Sequence, residues 1–210
     1  MIVWRHGQTA HNLAGLVQGR VDIPLDGLGR AQAARAARAL AAWKPDRIIA
    51  SPLARAEATA ARLGEAAGVA VELDGRLVER AFGEWEGMGI GEIAERWPAE
   101  HAAWRTGRDV ESIGMETRAA AAERWFEAVA EAAGAVADGG TLAVVSHGGV
   151  IVCGLTRLLG LDPQAWFGLR VMANAHWAVV EASGHAPRGW RLAGYDLGAE
   201  PSEEELSGWF

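Results

Sequence analysis

Residues 141–150 read TLAVVSHGGV. The apolar run LAVV lies between an Asp138-Gly139-Gly140 turn and the polar Ser146-His147-Gly148. A short, uniformly apolar segment bounded in this way is a strand buried on both faces. The residues after it, from about Gly149 to Leu159, carry the composition of a helix. The chain opens on a near echo, MIVWRHG (1–7), in which an apolar strand over 1–5 also runs into a histidine and a glycine. Two strands that end alike, 140 residues apart, suggest one sheet with both ends on one rim.

The segments between them repeat the alternation of strand and helix. Asp26 is a helix-capping residue ahead of LGRAQAARAARALAAW, a helix that Pro45 stops. A second strand follows over 46–50. Ser51-Pro52 then opens a helix running to about Gly64, and a third strand spans 69–73. Residues 116–136 read as one long helix, and 175–182 and 189–195 as two closing strands forming a hairpin at a sheet edge. Residues 80–115 are rich in glycine and tryptophan, with Pro98 between two short helical runs, and read as an irregular, mostly helical insertion. The expected fold is therefore α/β: a three-layer α/β/α sandwich with a mixed, mainly parallel central sheet and a small helical cap over 80–115. A single domain over 1–200 and an acidic tail over 201–210 account for the chain.

Composition limits the function. The 210 residues carry a net charge of -7, and no basic block exceeds two residues, so nothing here suits nucleic acid. No stretch approaches the ~20 apolar residues of a membrane span, and no signal peptide is visible. Cys153 is the single cysteine, which fits a reducing compartment and a cytoplasmic location. Of the 20 basic side chains, Lys44 is the one lysine and the rest are arginine. An arginine cluster can still make a positive pocket in an acidic protein.

The strand rim supplies such a cluster. Arg5 adjoins His6, and Arg55 lies in the first turns after strand 46–50. Guanidinium forks match phosphate oxygens. Gly7 and Gly148 let backbone approach an anion, and a helix N-terminus near Ser51 or Gly149 adds N–H donors. One of His6 and His147 can attack phosphorus as neutral imidazole, while the other stays protonated over the phosphoryl oxygens. The leaving oxygen needs a proton. Glu79, just after the third strand, is the best placed acid, with Glu84 and Glu86 close by. His6 and His11 have no third ligand at a metal-site spacing, so no metal is expected.

RHGQTAHN (5–12), SPLARAEATA (51–60), LVERAFGEWEG (77–87) and VSHGGVI (145–151) resemble, in order, the four motifs of the histidine phosphatase superfamily. The resemblance implies that His6 is the phosphorylated nucleophile, that Arg5, Arg55 and His147 bind phosphate, and that Glu79 donates the proton. It adds Asn12, Gln18 and Thr9 to Gly148 as residues lining the phosphate pocket. It also implies chemistry without metal or cofactor, on a small phosphorylated metabolite. The family includes sugar-acid mutases and members that bind without catalysis. The compact spacing of 68 positions between Glu79 and His147 and the presence of Gln18 match its phosphatase branch. ANAHW (173–177) and GWRL (189–192) resemble an actinobacterial group in that branch and imply a phosphorylated glycerate or sugar, with Arg96, Arg105 and Arg108 available for a carboxylate and Trp85 as a pocket wall. A homodimer through the late strands and their tryptophans is the expected assembly.

Overall fold

The computed structural model describes residues 1–186 and 188–199; the acidic tail lies outside the described residues. In chain order the elements are β1 (Ile2–Arg5), α1 (Ala10–Ala14), α2 (Gly27–Ala41), β2 (Arg47–Ala50), α3 (Ala54–Ala67), β3 (Val71–Leu73), α4 (Ile90–Arg96), α5 (Pro98–Arg105), α6 (Arg118–Gly134), β4 (Leu142–Ser146), α7 (Gly148–Leu158), β5 (Trp177–Ala182) and β6 (Trp190–Leu197).

Side-chain alternation along the strands builds the layers. Ile2, Trp4, Ile48, Ala50, Ala143 and Val145 face one side of the sheet and pack with Ala36, Ala37 and Leu40 of α2 and Ala56, Ala60 and Leu63 of α3. Val3, Ile49, Leu142 and Val144 face the other side and pack with α6 and α7 through Trp125, Val129, Ile151 and Leu155. A third cluster, Trp85, Ile93, Val110, Ile113 and Met115, belongs to the insertion and forms the cap. Trp125 is completely buried. Its truncation to alanine costs about 3–5 kcal/mol on the usual scale for buried aromatics.

The sheet order is β3-β2-β4-β1-β5-β6. β3, β2, β4 and β1 run parallel, and β5 and β6 complete the sheet by antiparallel pairing. The mixed, mainly parallel sheet is thus present. Arg5 is in register with Ser146, and Ala50 with Val145. Three strands therefore end within one residue of one another, and the next residues, His6, Ser51 and His147, emerge on the same rim.

Helix boundaries correct several readings. Asp26 does cap α2, accepting from the Gly29 N–H at 2.7 Å. Ser51 does not cap α3: the helix begins at Ala54, and the serine hydroxyl is drawn instead to His147. Gly64 lies inside α3, which ends at Gly68 in the left-handed conformation glycine favours. The short α1 was not expected; a capping box between Thr9 and Asn12 forms it. The late-strand tryptophans serve the chain's own packing, Trp177 against the α2–α3 face and Trp190 against the α6–α7 face.

Candidate active site

A cavity of about 200 Å³ opens at the level strand ends. Arg5, His6, Asn12, Gln18, Arg55, Glu79 and Gly148 all line it, so the fold brings together residues from five separate stretches of sequence. Thr9 and His147 stand behind this lining.

His6 is buried, and its Nδ1 lies 2.7 Å from the Gly7 carbonyl. A carbonyl only accepts, so the proton sits on Nδ1 and Nε2 keeps its lone pair. Burial, then the charges of Arg5 and Arg55, hold the His6 pKa well below the ordinary 6.5. This is a neutral imidazole with one free nitrogen, the form a nucleophile needs.

His147 is arranged in the opposite sense. Arg55 Nε donates to its Nδ1 at 3.1 Å, which puts the proton on Nε2, 2.7 Å from Ser51 Oγ. Its pKa is also held well below 6.5, by burial, then by His6 and the two arginines. The expectation of a protonated second histidine is thus corrected. His147 is neutral because two guanidinium groups share its buried surroundings, and both its ring nitrogens are bonded to protein groups. The two imidazole centroids are 5.1 Å apart.

Arg55 is fully buried and locked in place. Besides the bond to His147 it donates to the carbonyls of Val21 and Gly19, each at 2.8 Å. Arg5 donates to the Met172 carbonyl, while its Nε is buried with no hydrogen-bond partner among the described residues, a donor left for a ligand. Gly148 is needed because the Arg5 guanidinium lies across it: a Cβ there would fall 3.2 Å from Arg5 Nε and 2.6 Å from a Val171 methyl. Gly7 has a different reason from the expected one. Its close neighbour is the Gly29 carbonyl of α2, not the cavity.

The Glu79 carboxyl accepts from three backbone N–H groups, Arg80 at 2.8 Å, Gly149 at 2.9 Å and Val150 at 2.7 Å. Two of these belong to the first turn of α7; Oε1 takes two of the three bonds and Oε2 one, which leaves Oε2 a lone pair for a proton. Arg20 and Arg124 both grip the Glu79 carbonyl and both pair with Glu116. Burial would raise the Glu116 pKa, but the bond and charge of Arg124 hold it below the usual range. Glu84 is exposed, and Glu86 binds the Phe82 N–H at 2.9 Å, so neither competes with Glu79.

Thr9 is buried and works through its neighbours. Its hydroxyl lies 3.1 Å from Asn12 Oδ1 and 3.0 Å from Gln18 Oε1. Both amides thus give their carbonyl ends to Thr9, and both side chains line the cavity. Asn174 was not anticipated. Its Nδ2 reaches the carbonyls of His6 and Gly7 and Asn12 Oδ1, at 3.2, 3.3 and 3.0 Å. Trp85 packs wholly inside the cap, and Trp104, edge-on to it, lines the cavity instead. Arg96 is held by Glu92 and the Trp97 ring, and Arg105 and Arg108 are exposed; none of the three lines this cavity. Cys153 is buried, which pushes its thiol up to about 11.

A buried neutral histidine between two arginines, with a backbone-held glutamate opposite, is a site for a phosphate ester. The family model described as "Histidine phosphatase superfamily (branch 1)" matches residues 1–194. The chain belongs to the histidine phosphatase superfamily. A glucosyl-3-phosphoglycerate phosphatase of Mycobacterium tuberculosis is 34% identical over 220 residues, covering 98% of each chain. The solved structure of a mycobacterial glucosyl-3-phosphoglycerate phosphatase with VO3 superposes with a TM-score of 0.84 at 35% identity, covering 93% of this chain and 98% of that one. A structure of such a phosphatase with inorganic phosphate gives 0.83 at 35% identity, covering 96% and 99%. These relatives of the superfamily member are phosphatases, which supports a phosphoric monoester hydrolase over a mutase.

Proposed function

We propose that this histidine phosphatase hydrolyses phosphate monoesters through a phosphohistidine at His6, and that its substrate is a phosphorylated glycerate derivative. Glucosyl-3-phosphoglycerate, the compound in the relatives' names, is the first candidate. The observation that carries the reading is the free, lone-pair-bearing Nε2 of His6 inside a cavity lined by Arg5 and Arg55.

In the first step His6 Nε2 forms a bond to phosphorus as the ester P–O bond breaks, and Glu79 gives the leaving oxygen its proton. In the second step water attacks phosphorus and yields a proton to Glu79. The P–N bond then breaks, and inorganic phosphate leaves. Arg5, Arg55 and the NH₂ groups of Asn12 and Gln18 hold the non-bridging oxygens. His147 fixes the Arg55 side chain and excludes water behind His6.

The test is phosphate release from glucosyl-3-phosphoglycerate and from 3-phosphoglycerate, with His6→Ala as control and acid-labile phosphate on His6 as the second readout. A large, His6-dependent preference for the glucosylated ester supports the substrate. Equal slow rates keep the chemistry and remove that substrate. Turnover by His6→Ala above a few per cent of wild type removes the mechanism.

The enzyme is taken to work in the cytoplasm as a homodimer. With the late tryptophans used internally, the β6 edge, which pairs with no further strand among the described residues, is the late-strand surface offered to a second copy. Sedimentation of the chain gives monomer or dimer directly.

A further inference from the structure

Beside the catalytic cavity lies a larger chamber of about 310 Å³. The two share Phe82, Trp104, Gly149 and Val171 as walls. Glu79 stands at the junction, since a Cβ on Gly149 would come within 2.9 Å of its Oε1. In-line attack by His6 drives the leaving oxygen away from His6 and toward its proton donor. The leaving group of a bound ester therefore faces the chamber.

Three arginines reach that chamber: Arg80, Arg118 and Arg170. Arg80 is committed, donating to the Glu116 carbonyl at 2.6 Å and pairing with Asp109, with its side chain 4% exposed. Arg170 is held by Asp196 at 2.7 Å and its side chain is 82% exposed, where charge is screened. Arg118 differs from both. No hydrogen bond from its guanidinium is found among the described residues. The carboxylate nearest to it is Asp109, 3.8 Å away and already bonded to Arg80. The guanidinium carbon lies 4.7 Å from the centre of the Phe167 ring, a cation–π contact that uses none of its N–H groups. Arg80 and Arg118 thus share one carboxylate, and the pair brings one uncompensated positive charge to a chamber whose other walls are mainly aromatic and aliphatic.

We propose that Arg118 determines specificity by binding a carboxylate on the leaving group, while the aromatic walls take its carbon skeleton. The proposal rests on the phosphatase reading and adds to it the residue that selects the substrate. It replaces Arg96, Arg105 and Arg108, which the sequence offered for this task and which lie away from the chamber.

The experiment compares 3-phosphoglycerate with glycerol 3-phosphate, in which a hydroxymethyl group replaces the carboxylate. In wild type, kcat/KM is expected to favour the carboxylated ester by about tenfold or more, the scale of a charge-assisted hydrogen-bonded pair. Arg118→Gln is expected to remove that preference while leaving glycerol 3-phosphate unchanged, and Arg118→Lys to restore part of it. Equal loss on both esters, or a preference that survives in Arg118→Gln, overturns the proposal. The same two compounds are titrated calorimetrically into His6→Ala, with and without Arg118→Gln, which reads the anion site without turnover. Carboxylate-selective binding that depends on Arg118 without hydrolysis by wild type keeps the anion site and rejects the phosphatase reading. His6-dependent hydrolysis without any Arg118 dependence does the reverse.

Discussion

The ends of β1 and β4 are alike in sequence and level in space, yet their histidines are wired in opposite senses. After β1, His6 gives its Nδ1 proton to the carbonyl of the next residue, Gly7, and keeps Nε2 free. After β4, His147 accepts at Nδ1 from Arg55 and donates from Nε2 to Ser51. Both are buried and both are held neutral. Their difference is the partner set. A carbonyl beside one ring creates a nucleophile, and a guanidinium with a hydroxyl beside the other creates a fixed support. Identity of residue and position at a strand end does not assign a role; the groups around the ring do.

The sharpest test of this asymmetry is to remove each ring in turn. His6→Ala is expected to lower kcat by more than ~1000-fold, because the bond-forming atom is gone. His147→Ala is expected to lower it by about 10- to 100-fold, the scale of one lost hydrogen bond to a charged group in the transition state. Steady-state kinetics on p-nitrophenyl phosphate, with trapping of phosphoenzyme, separates the two. Equal losses, or phosphoenzyme surviving in His6→Ala, would break the distinction.

Acid should strike what the two histidines share. Both have folded pKa values well below 6.5, so unfolding takes up protons in acid and stability is lost as pH falls. Each contributes a slope of up to about 1.4 kcal/mol per pH unit below its unfolded value. Denaturant unfolding between pH 6.5 and 5.5 is expected to show a shallower loss in His6→Ala than in wild type, since that variant lacks one of the two protons. Parallel slopes would mean that His6 already carries its proton in the folded state. For activity, the same depression keeps the nucleophile neutral through this range, so kcat/KM should show no acid limb at the ordinary histidine value from His6.

Much of this arrangement could be read from sequence, and the reasons are local. The apolar runs at 1–5 and 141–146 and the flanking histidines and glycines are contiguous signals, so β1, β4 and the rim they share were accessible. Glu79 was accessible through its motif and its place after a strand. What escaped was set by contacts distant in sequence. Ser51 reads as a helix cap, yet its partner is 96 positions away. Asn174 lies in a loop without a pattern and touches the site across more than 160 residues. Arg118 sits at the start of α6, and only the folded cap brings it to the chamber beside Glu79. Thr9 shows a third kind of miss: the motif is right, but burial makes the residue a holder of Asn12 and Gln18 rather than a contact in its own right.

Ser51 sharpens the comparison at smaller scale. Ser51→Ala leaves the Nε2–H of His147 buried without its acceptor, a cost of about 1–3 kcal/mol in stability. The variant should therefore unfold at lower denaturant concentration and lose several-fold in kcat as Arg55 loosens. Gly149 and the Glu79 contact are untouched by it, so its activity should fall alike for good and poor leaving groups. A loss confined to poor leaving groups would instead tie Ser51 to the proton-donating side.

The smallest expected effect falls on the His6 side, at Asn174. Its Nδ2 bonds the two carbonyls that carry the nucleophile's loop and the Oδ1 of Asn12. Thr9 also holds that oxygen through its N–H at 3.2 Å, so Asn174→Ala removes one of several restraints. Inhibition by inorganic phosphate is expected to weaken by about threefold, below the ~1 kcal/mol of a typical neutral hydrogen bond. Asn174→Asp places an anion against three carbonyl oxygens and should weaken it further. The order matters more than the size: alanine above aspartate in phosphate affinity identifies the amide as a donor that positions Asn12, whereas equal affinities would reduce Asn174 to a packing role and leave Thr9 as the holder of both amides.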